Sequence, residues 1–504
     1  MEYLVNAKEM KACDEQTSKE FQMPPVVLME RAAEAVAAEI ISRCKKDATI
    51  LVLCGGGNNG GDGYATARLL FLRGYDVSLY ALAEPPKDSL CYREREICRK
   101  YHMTELSTLP DHPAHVVIDA IFGTGLSREV AAPVAEVLDT VNEWAAYRVA
   151  VDIPTGISSD HGRLLGKAFC AHLTVTFAYR KLGQILFPGA SYCGQLVCAD
   201  IGITEHSFLN RLPRVCSLTK EDLRLLPDRK ADSHKGDYGK VLVIAGSATM
   251  CGAAAFCAEG AYRMGAGLVR IFTAEENRTA LASLVPEALL TTFRSEKFDE
   301  KLLIEAIHWA DVCLIGPGLS TGTTAEKILK TTLHSVSVPL VIDADGINLL
   351  AKEPEILKGP HTDVILTPHI GEMSRLTGDS PMYLKEERLR IAEEFANEYN
   401  VILTLKDSRT VTAIPFGRIY LNQTGNNGLA TGGSGDVLSG MIAGLLSQGV
   451  GAETAAAFAV FMHGLAGDLA SEEKEPASML ARDLLAMLPK VWKIVKEQKE
   501  ICRQ

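Results

Sequence analysis

The sequence predicts an α/β protein with two domains, each built on a largely parallel β-sheet. Short apolar runs alternate with helix-like segments along the 504 residues, and such runs between helices are typical of parallel strands buried on both faces. A chain of this length also exceeds one ordinary domain. The alternation stops over Leu209–Asp232, where prolines and charged residues crowd a stretch with few strand signals. We therefore predict domains over residues 1–215 and 225–500, joined by a surface linker.

The composition is that of an ordinary soluble globular protein, with 47% hydrophobic and 23% charged residues. The formal net charge is −11, so the chain has no overall basic field with which to bind nucleic acid. A small anionic ligand is compatible with this charge, because local N–H groups and a few cations can hold it. We expect small-molecule partners and no nucleic acid.

The apolar runs and the cysteines of the sequence indicate where in the cell the protein is expected. No run of about 18 or more apolar residues occurs in the sequence, so we expect no membrane association. The thirteen cysteines are an odd number without a Cys-x-x-Cys pair, which favours buried free thiols in a reducing compartment over disulfides or zinc ligands. We therefore expect a cytoplasmic protein.

The first domain has four predicted strands and a helix from about Tyr64 to Arg73 that follows a glycine-rich loop. Asp119 and Asp152 stand at the carboxyl ends of the third and fourth strands, and ligands of parallel sheets bind at that edge. The strands are Thr49–Cys54, Asp76–Leu82, His115–Ala120 and Arg148–Ile153.

The second domain repeats this pattern and ends in helices. A hairpin is expected from Thr410–Ile414 and Arg418–Leu421, and three helices follow at about Gly433–Ser447, Glu453–Ala470 and Ala481–Lys496. The preceding strands are expected at Lys240–Ala245, Leu268–Phe272, Asp311–Gly316, Pro339–Asp343, Asp363–Thr367 and Val401–Lys406.

The first glycine-rich loop, Gly55–Gly63, is interrupted by two asparagines and an aspartate. The N–H groups of such a loop, and the helix start behind it, attract phosphate. Its side-chain oxygens, with those of Asp119 and Thr155, are hard ligands suited to a monovalent or divalent cation. The loop is therefore a candidate for both an anionic ligand and a cation.

Two other strand ends of this domain carry polar motifs. Gly123–Arg128 is a second candidate anion cradle, with Arg128 as a phosphate contact. Asp152, which begins Asp152–Gly156, is a candidate general acid or base. A single strand-end acid is more often a cap, and a single glycine loop is often only a turn. Three such motifs at one edge of one sheet favour a ligand site.

A second glycine-rich segment, Gly425–Asp436, ends on Gly432–Gly435 and Asp436 beside Thr431. Several N–H groups at a helix start form an anion hole suited to a phosphoryl group in transfer. Asp436 follows directly and is placed to take a proton from a substrate hydroxyl. A favourable charge at a helix N-terminus would explain Asp436 alone, but it would not explain the adjacent Gly-Gly-Ser-Gly.

The first domain resembles the NAD(P)H-hydrate epimerase family over about residues 1–215. The resemblance is carried by Gly57–Gly63, Ile118–Leu126, Val151–Gly156 and Met29–Ala32. It implies a Rossmann-like fold, a bound potassium ion and a hydrated nicotinamide dinucleotide as substrate.

The resemblance also implies roles for residues of this domain. Asn59, Asp119 and Thr155 would contact K⁺, and Asp152 would lie beside the reacting ring. The implied dinucleotide contacts are Asn58, Asn59, Gly60, Gly61, Asp62, Gly123, Thr124, Gly125, Leu126, Ser127, Arg128, Glu129 and Asp152.

The second domain resembles the ribokinase-like superfamily and, within it, the NAD(P)H-hydrate dehydratase family over about residues 225–495. The narrower match is carried by Gly236–Lys240 with Ala245–Ser247, Ile315–Leu319, Asp343–Asn348 and Thr367–Met373. It implies hydrate contacts from Ala253, Gly318, His369 and Asp436. It implies adenine-nucleotide contacts from Lys406, Asp407, Ser408, Arg409, Thr410 and Gly435.

Three positions of the second domain leave questions open. Asp407 follows Lys406 where the dehydratase family usually has glycine, so its contact with a nucleotide is in doubt. His369 is either catalytic or a hydrogen-bonding residue that positions its neighbours. His463, on an apolar helix, is expected to be a core histidine with a satisfied hydrogen bond.

Together the resemblances imply a bifunctional repair enzyme. Its first domain would interconvert the R and S forms of hydrated NADH and NADPH, and its second would dehydrate the S form. ADP is the implied phosphoryl donor and co-substrate, with ATP the runner-up; Mg²⁺ is a further candidate in the dehydratase domain, and a homo-oligomer is expected. The alternative is a ribokinase-like kinase of a small vitamin precursor, fused to a non-catalytic dinucleotide-binding module.

Overall fold

The computed structural model describes residues 1–294, 297–358 and 362–502. Its contacts divide the chain into an N-terminal unit, Tyr3–Pro213, and a C-terminal unit, Arg214–Gln504 with Met1–Glu2. Each unit has a parallel sheet and a hydrophobic core of its own.

The N-terminal unit is built from α-helices and mainly parallel strands. Its helices are α1 (Ala7–Lys19), α2 (Pro25–Arg43), α3 (Asn58–Leu72), α4 (Leu90–Lys100), α5 (Ala132–Glu143) and α6 (Leu182–Ile185). Its strands are β1 (Glu2–Val5), β2 (Thr49–Cys54), β3 (Asp76–Ala81), β4 (Thr104–Leu106), β5 (Val116–Ala120), β6 (Tyr147–Val151), β7 (Leu173–Phe177), β8 (Arg180–Lys181) and β9 (Gln195–Ala199).

Helices cover both faces of a seven-stranded parallel sheet ordered β4-β3-β2-β5-β6-β7-β9. Along β2, Ile50 and Val52 pack in one core cluster with residues of α2 and α3, whereas Leu51 and Leu53 pack in another with residues of α5. Alternate residues of a strand point to opposite faces, which explains why the strand is apolar throughout. The chain runs outward from β2 to β4 and then returns to β5 on the other side, so the topology reverses between β2 and β5.

The C-terminal unit has the same architecture at larger size. Its helices are α7 (Cys251–Arg263), α8 (Arg278–Leu284), α9 (Glu300–Trp309), α10 (Thr323–Ser335), α11 (Asp345–Leu350), α12 (Ile370–Thr377), α13 (Pro381–Glu386), α14 (Arg388–Tyr399), α15 (Ser434–Ser447), α16 (Ala452–Glu473) and α17 (Ala481–Ile501). Its strands are β10 (Val215–Ser217), β11 (Lys240–Ile244), β12 (Leu268–Ala274), β13 (Leu289–Phe293), β14 (Val312–Ile315), β15 (Leu340–Ile342), β16 (Val364–Leu366), β17 (Ile402–Leu405), β18 (Val411–Ala413) and β19 (Ile419–Leu421).

Within this unit the strand order is β13-β12-β11-β14-β15-β16-β17-β18-β19-β10. The strands from β13 to β17 are parallel, and β17, β18 and β19 form an antiparallel meander that contains the predicted hairpin. The topology reverses between β11 and β14, and α7, α15, α16 and α17 contribute most of the core on one face. In the described part of the chain, no helix is long and apolar enough to cross a membrane.

Two local predictions were wrong. Helix α3 begins at Asn58 rather than near Tyr64, so most of the first glycine-rich segment is the first turns of a helix. The predicted linker is not wholly at the surface: Val215–Ser217 is strand β10, and Leu223 and Leu226 are buried in the core. Charged neighbours hid these apolar positions in the sequence. The cysteines are free thiols, as predicted, and eight of them are buried.

Candidate active sites

The first candidate site lies where the strand order of the N-terminal sheet reverses. Strands β2 and β5 are paired there, with Leu53 opposite Asp119 and Cys54 opposite Ala120. Their following loops, which begin at Gly55 and Ile121, therefore leave the sheet side by side. Ligands of doubly wound sheets bind at such a point, beyond the carboxyl ends of the strands.

The glycines after β2 are required by close packing. A Cβ atom on Gly55 would lie 2.0 Å from the Ile121 carbonyl oxygen, and one on Gly60 would lie 2.0 Å from the Gly55 carbonyl oxygen. A Cβ atom on Gly61 would meet the Met29 side chain at 2.6 Å. The glycines thus let α3 start directly against the β5 loop, which brings the side chains of its first turn to the edge of the sheet.

A cavity of about 1170 Å³ opens at this edge. Its size exceeds the usual range for small-molecule sites of 300–1,000 Å³ only slightly. Of the predicted dinucleotide contacts, Gly60 and Gly61 are buried in α3, and Glu129 is exposed outside the lining. Those that line the cavity are Asn58, Asn59, Asp62, Gly123, Thr124, Gly125, Leu126, Ser127, Arg128 and Asp152.

Asp119 and Thr155, two of the predicted cation ligands, are bonded to each other. Asp119 Oδ1 accepts from Thr155 Oγ1 and Oδ2 accepts from the Thr155 N–H, both at 2.7 Å. Asp119 is fully buried, and burial raises the pKa of its carboxyl to about 6. Asn59, also buried, has no hydrogen-bond partner for its side-chain oxygen or nitrogen among the described residues. An unsatisfied buried amide is costly, so this pocket of oxygens fits a ligand such as a cation.

Asp152 has a strained backbone and a tightly held side chain. Its φ is +66°, a conformation that non-glycine residues seldom adopt. Asp152 Oδ1 accepts from Lys181 Nζ at 2.6 Å and from Thr176 Oγ1 at 3.1 Å, and its carbonyl oxygen accepts from Gln184 Nε2 at 2.6 Å. Such strain is often found at functional sites, and here it directs a carboxylate into the cavity.

Lys181 and Asp14 are cavity residues that the sequence analysis missed. Lys181 lines the cavity although its side chain is only 1% exposed. The signal that could have found it is the alternating Leu173–Phe177 run, an unrecognised strand that is followed by the basic pair Arg180–Lys181. Asp14 lies on α1, whose polar face gave no sign of a site.

Three carboxyl groups share the cavity with this lysine. Burial, followed by repulsion from Asp152, raises the pKa of Asp62 well above its usual value. Burial also raises the pKa of Asp14 to about 6, although Lys181 acts in the opposite direction. The cavity therefore contains Asp152, paired with Lys181, beside two acids whose pKa values are raised, which is an arrangement suited to proton transfer.

The second candidate site occupies the corresponding place in the C-terminal sheet. Strands β11 and β14 pair there, with Ile244 opposite Ile315, and the Gly246 N–H bonds to the Pro317 carbonyl oxygen at 2.9 Å. Gly318 has a φ of +60°, and a Cβ atom on it would lie 3.0 Å from the Ala253 Cβ. The structure thus places the predicted hydrate contacts Gly318 and Ala253 against each other.

Helix α15 begins at Ser434, and Gly433 precedes it with a φ of +91° that favours glycine. Asp436 lies in the first turn of the helix. Burial, followed by repulsion from Asp343, raises the pKa of Asp436 to about 7. A carboxyl group with this pKa beside helix N–H groups is suited to act as a base near neutral pH.

Helix α16 stabilises the start of α15 through a hydrogen bond. His463 Nε2 donates to the Ser434 carbonyl oxygen at 2.9 Å, and burial lowers the pKa of His463 to about 4. This matches the core histidine with a satisfied hydrogen bond that the sequence predicts. Asp468 accepts from the Gly425 N–H at 2.9 Å and fixes the loop that leads to the helix.

Lys406 brings a positive charge to the glycine loop. Its Nζ lies 2.7 Å from Asp343 Oδ1, and a Cβ atom on Gly435 would lie 3.2 Å from the same Nζ. The second oxygen of Asp343 is buried without a hydrogen-bond partner among the described residues. Helix N–H groups and an ammonium therefore converge where Asp436 stands, which is an arrangement that stabilises a phosphoryl group in transfer.

His369 caps helix α12. The Nδ1 atom of its imidazole accepts from the Gly371 N–H at 2.9 Å, and its backbone N–H donates to Glu372 Oε2 at 2.8 Å. The segments that follow β16 and β17 are bridged here, because the Lys406 N–H donates to the Pro368 carbonyl oxygen at 2.7 Å. Burial, aided by Lys406, lowers the pKa of His369, so the imidazole is neutral at physiological pH.

The predicted nucleotide contacts 406–410 form the whole connection between β17 and β18. Asp407 Oδ2 accepts from Arg388 Nη1 at 2.9 Å, and the Arg388 side chain is only 6% exposed. Thr410 Oγ1 donates to the Asp407 carbonyl oxygen at 3.2 Å. Asp407 therefore has a structural partner, Arg388, which the sequence analysis did not identify.

Comparisons with known proteins find relatives of both units. Residues 241–490 match the NAD(P)H-hydrate dehydratase family, and residues 25–183 match the family described as YjeF-related protein N-terminus. The bifunctional NAD(P)H-hydrate repair enzyme Nnr of Moorella thermoacetica is 39% identical, and the alignment covers 99% of this chain and 98% of that one. Similarity thus extends through both units.

Solved structures resemble the C-terminal unit. The ADP/ATP-dependent NAD(P)H-hydrate dehydratase of Bacillus subtilis, co-crystallised with ATP and Mg²⁺, is 35% identical with a TM-score of 0.50, covering 55% of this chain and 98% of that one. A ribokinase-like superfamily protein of Enterococcus faecalis V583 is 31% identical with a TM-score of 0.51, covering 56% of this chain and 96% of that one.

These likenesses confirm the predicted fold class, a Rossmann-like domain followed by a ribokinase-like α/β domain. A vitamin-precursor kinase fused to a binding module is not supported, because the likeness to a repair enzyme runs through both domains. The chain belongs to the family of bifunctional NAD(P)H-hydrate repair enzymes.

Proposed function

We propose that this chain interconverts the R and S forms of hydrated NADH and NADPH in a domain over residues 1–215 and dehydrates the S form in a domain over residues 225–500. The second reaction is coupled to cleavage of ADP to AMP and phosphate. The observation that carries the proposal is Asp436, a carboxyl with a pKa of about 7 at a helix start, beside Gly435 and Lys406.

In the dehydratase domain, Asp436 takes the proton from the C6 hydroxyl of the hydrate. The resulting oxygen attacks the terminal phosphorus of ADP; a new O–P bond forms, the bond to AMP breaks, and AMP leaves with the electron pair. The N–H groups of Gly432–Gly435 and the ammonium of Lys406 stabilise the charge on the phosphoryl oxygens. The ring nitrogen then expels phosphate from C6, and loss of the C5 proton restores the double bond.

Other residues of this domain position the reactants. Ala253 and Gly318 border the hydrate, and His369, whose Nδ1 accepts from backbone N–H groups of α12, positions the turn that carries the hydrate contact. We assign the nucleotide to Lys406–Thr410 and Gly435. ATP can replace ADP less well, and Mg²⁺ accompanies the nucleotide, because it is held largely by phosphates and water.

In the epimerase domain, Asp152 takes the proton from the C6 hydroxyl through Oδ2. The C6–O bond becomes a carbonyl, the C6–N1 bond breaks with its electron pair on nitrogen, and Asp152 returns the proton to N1. Rotation about C5–C6 and the reverse steps close the ring with the other configuration. Asp62 and Asp14 face the same cavity, and the raised pKa of Asp62 limits the negative charge beside Asp152.

A potassium ion fits the epimerase site, since the Asn59 side-chain oxygen is buried without a partner among the described residues and Asp119 and Thr155 add further buried oxygens. We assign those three residues as its protein ligands. When bound, the ion supplies a fixed positive charge that orders the loops against the dinucleotide. We also propose that the protein is a cytoplasmic homo-oligomer; sedimentation and cell fractionation test these points.

The test uses purified R hydrate of NADH. With the chain alone, chromatography should show conversion to a mixture of R and S; with ADP added, dihydronicotinamide, AMP and phosphate should appear in equal amounts. Conversion without restoration under either ADP or ATP would reject the dehydratase assignment. Restoration of S but no accelerated conversion of R would reject the epimerase assignment.

A further inference from the structure

Lys181 holds Asp152 through all of the N–H bonds that an ammonium can donate. Its Nζ donates to Asp152 Oδ1 at 2.6 Å, to Thr176 Oγ1 at 2.7 Å and to the Phe177 carbonyl oxygen at 3.2 Å. An ammonium has three N–H donors, so none is left for a substrate. Lys181 therefore acts on Asp152 and on the end of β7, not on a ligand.

The same contacts leave only one oxygen of Asp152 available. Oδ1 accepts from both Lys181 and Thr176. Oδ2 lies toward the β5 loop, where a Cβ atom on Gly123 would be 3.3 Å away. Since Gly123 and Asp152 both line the cavity, a reacting hydroxyl must approach Oδ2 across the bare Gly123 backbone.

The stability of the fold does not explain why a lysine is buried at position 181. Its side chain is 1% exposed, whereas that of Asp152 is 14% exposed. Removing an ammonium from water is expensive, and a buried ion pair is often no more stabilising than well-packed apolar residues.

We propose that Lys181 is a positioning residue of the epimerase site. With Thr176 it fixes Asp152 in its left-handed backbone conformation and presents Oδ2 alone to the C6 hydroxyl. This inference rests on the proposed role of Asp152. It predicts that loss of Lys181 lowers the turnover number but leaves the affinity for the hydrate nearly unchanged, because Lys181 donates nothing to the ligand.

The experiment compares Lys181→Met with wild type, using the R hydrate as epimerase substrate and the S hydrate with ADP as internal control. Lys167→Met is the matched control, since Lys167 is 59% exposed and pairs with Asp139 in the same unit. We expect the epimerase kcat of Lys181→Met to fall about 100-fold, the typical effect of misplacing a reacting group by about 1 Å. KM and the dehydratase rate should not change.

A raised KM with unchanged kcat would overturn the inference, because it would make Lys181 a binding residue; unchanged kcat and KM would overturn it as well. If Lys181→Met does not fold, Lys181→Ala is assayed with added ethylammonium, which should restore kcat without altering KM, and absence of rescue would contradict the inference. Failure of wild type itself to convert the R hydrate would instead reject the proposed epimerase function.

Discussion

The ammonium of Lys406 lies 2.7 Å from Asp343 Oδ1, and a Cβ atom on Gly435 would lie 3.2 Å from the same ammonium. Asp343 is 1% exposed, so its buried carboxyl group holds the ammonium of Lys406 in a fixed position. The pair explains how a lysine at the end of β17 reaches a glycine loop that begins α15. It also makes the ammonium part of the anion hole.

Replacing Lys406 by methionine should lower the dehydratase kcat about 10²–10³-fold, the usual loss when one donor to a developing charge is removed. Epimerase activity of the same chain should be unaffected. Steady-state kinetics with S hydrate and ADP provide the measurement, with Lys490→Met, an exposed lysine of α17, as control. A changed KM for ADP with an unchanged kcat would show instead that Lys406 binds ADP in the ground state.

The dehydratase should gain activity as the pH rises. Burial and repulsion from Asp343 raise the pKa of Asp436 to about 7, and only the carboxylate can accept a proton. kcat/KM for the S hydrate should therefore be low in acid, rise through about pH 7 and level off above it. Asp343→Asn removes the repulsion and should move this rise to lower pH. A flat profile, or a rise that stays in place in the variant, would count against Asp436 as the base.

Gly123→Ala should block the epimerase site. The added methyl group would lie 3.3 Å from Asp152 Oδ2 and 3.4 Å from the Asn59 side chain, where the C6 hydroxyl must approach. We expect epimerase kcat/KM to fall about 100-fold or more, with dehydration of the S hydrate unchanged. Gly451→Ala is the control, because Gly451 is outside the cavity lining and a Cβ atom there meets nothing within 4 Å. Equal activity of the two variants would show that Oδ2 is not the reacting oxygen.

Asp407→Gly restores the residue that the dehydratase family usually has, yet we expect it to destabilise this chain. It removes the partner of the buried Arg388, 2.9 Å away, and the loss of a hydrogen bond to a charged group costs about 1.5–3 kcal/mol. Thermal or urea unfolding of the C-terminal unit measures the change. Adding Arg388→Met to Asp407→Gly should recover most of the lost stability. If Asp407→Gly changed the KM for ADP without changing the stability, Asp407 would be a nucleotide contact instead.

Epimerase activity should depend on potassium. Exchange of K⁺ for a bulky quaternary ammonium should abolish conversion of the R hydrate, while dehydration of the S hydrate continues. Added K⁺ should also raise the melting temperature of the N-terminal unit, since a ligand that binds only the folded state stabilises it. Asn59→Ala should lose both responses. A K⁺-independent epimerase would refute Asn59, Asp119 and Thr155 as its ligands.

Much of the architecture could be predicted because its signals are local. Continuous apolar runs such as Leu51–Leu53 and Leu314–Ile315 identify strands buried on both faces, and the acids that follow them identify the active edge. The start of α3 could not be placed, because glycine disfavours helices and the need for glycine arises from tertiary packing, such as that of Gly55 against Ile121 and of Gly61 against Met29.

Long-range partners could not be read from the sequence. Lys181 lies 29 residues from Asp152, and Arg388 lies 19 residues from Asp407. Neither Lys181 nor Arg388 belongs to a recognisable sequence motif, and a lysine or arginine is ordinarily a surface residue. Asp343 and Lys406 stand in recognisable segments, yet their pairing across 63 residues depends on the order of β15, β16 and β17.

The division of labour between Asp152 and Asp436 is tested most directly by the progress curve of dihydronicotinamide absorbance, starting from a mixture of R and S hydrates with ADP. Wild type should restore the whole mixture at one enzymatic rate. Asp152→Asn should restore the S fraction quickly and then slow to the spontaneous conversion of R, whereas Asp436→Asn should restore neither. A fast, complete curve with Asp152→Asn, or equal slowing of both fractions, would contradict the account.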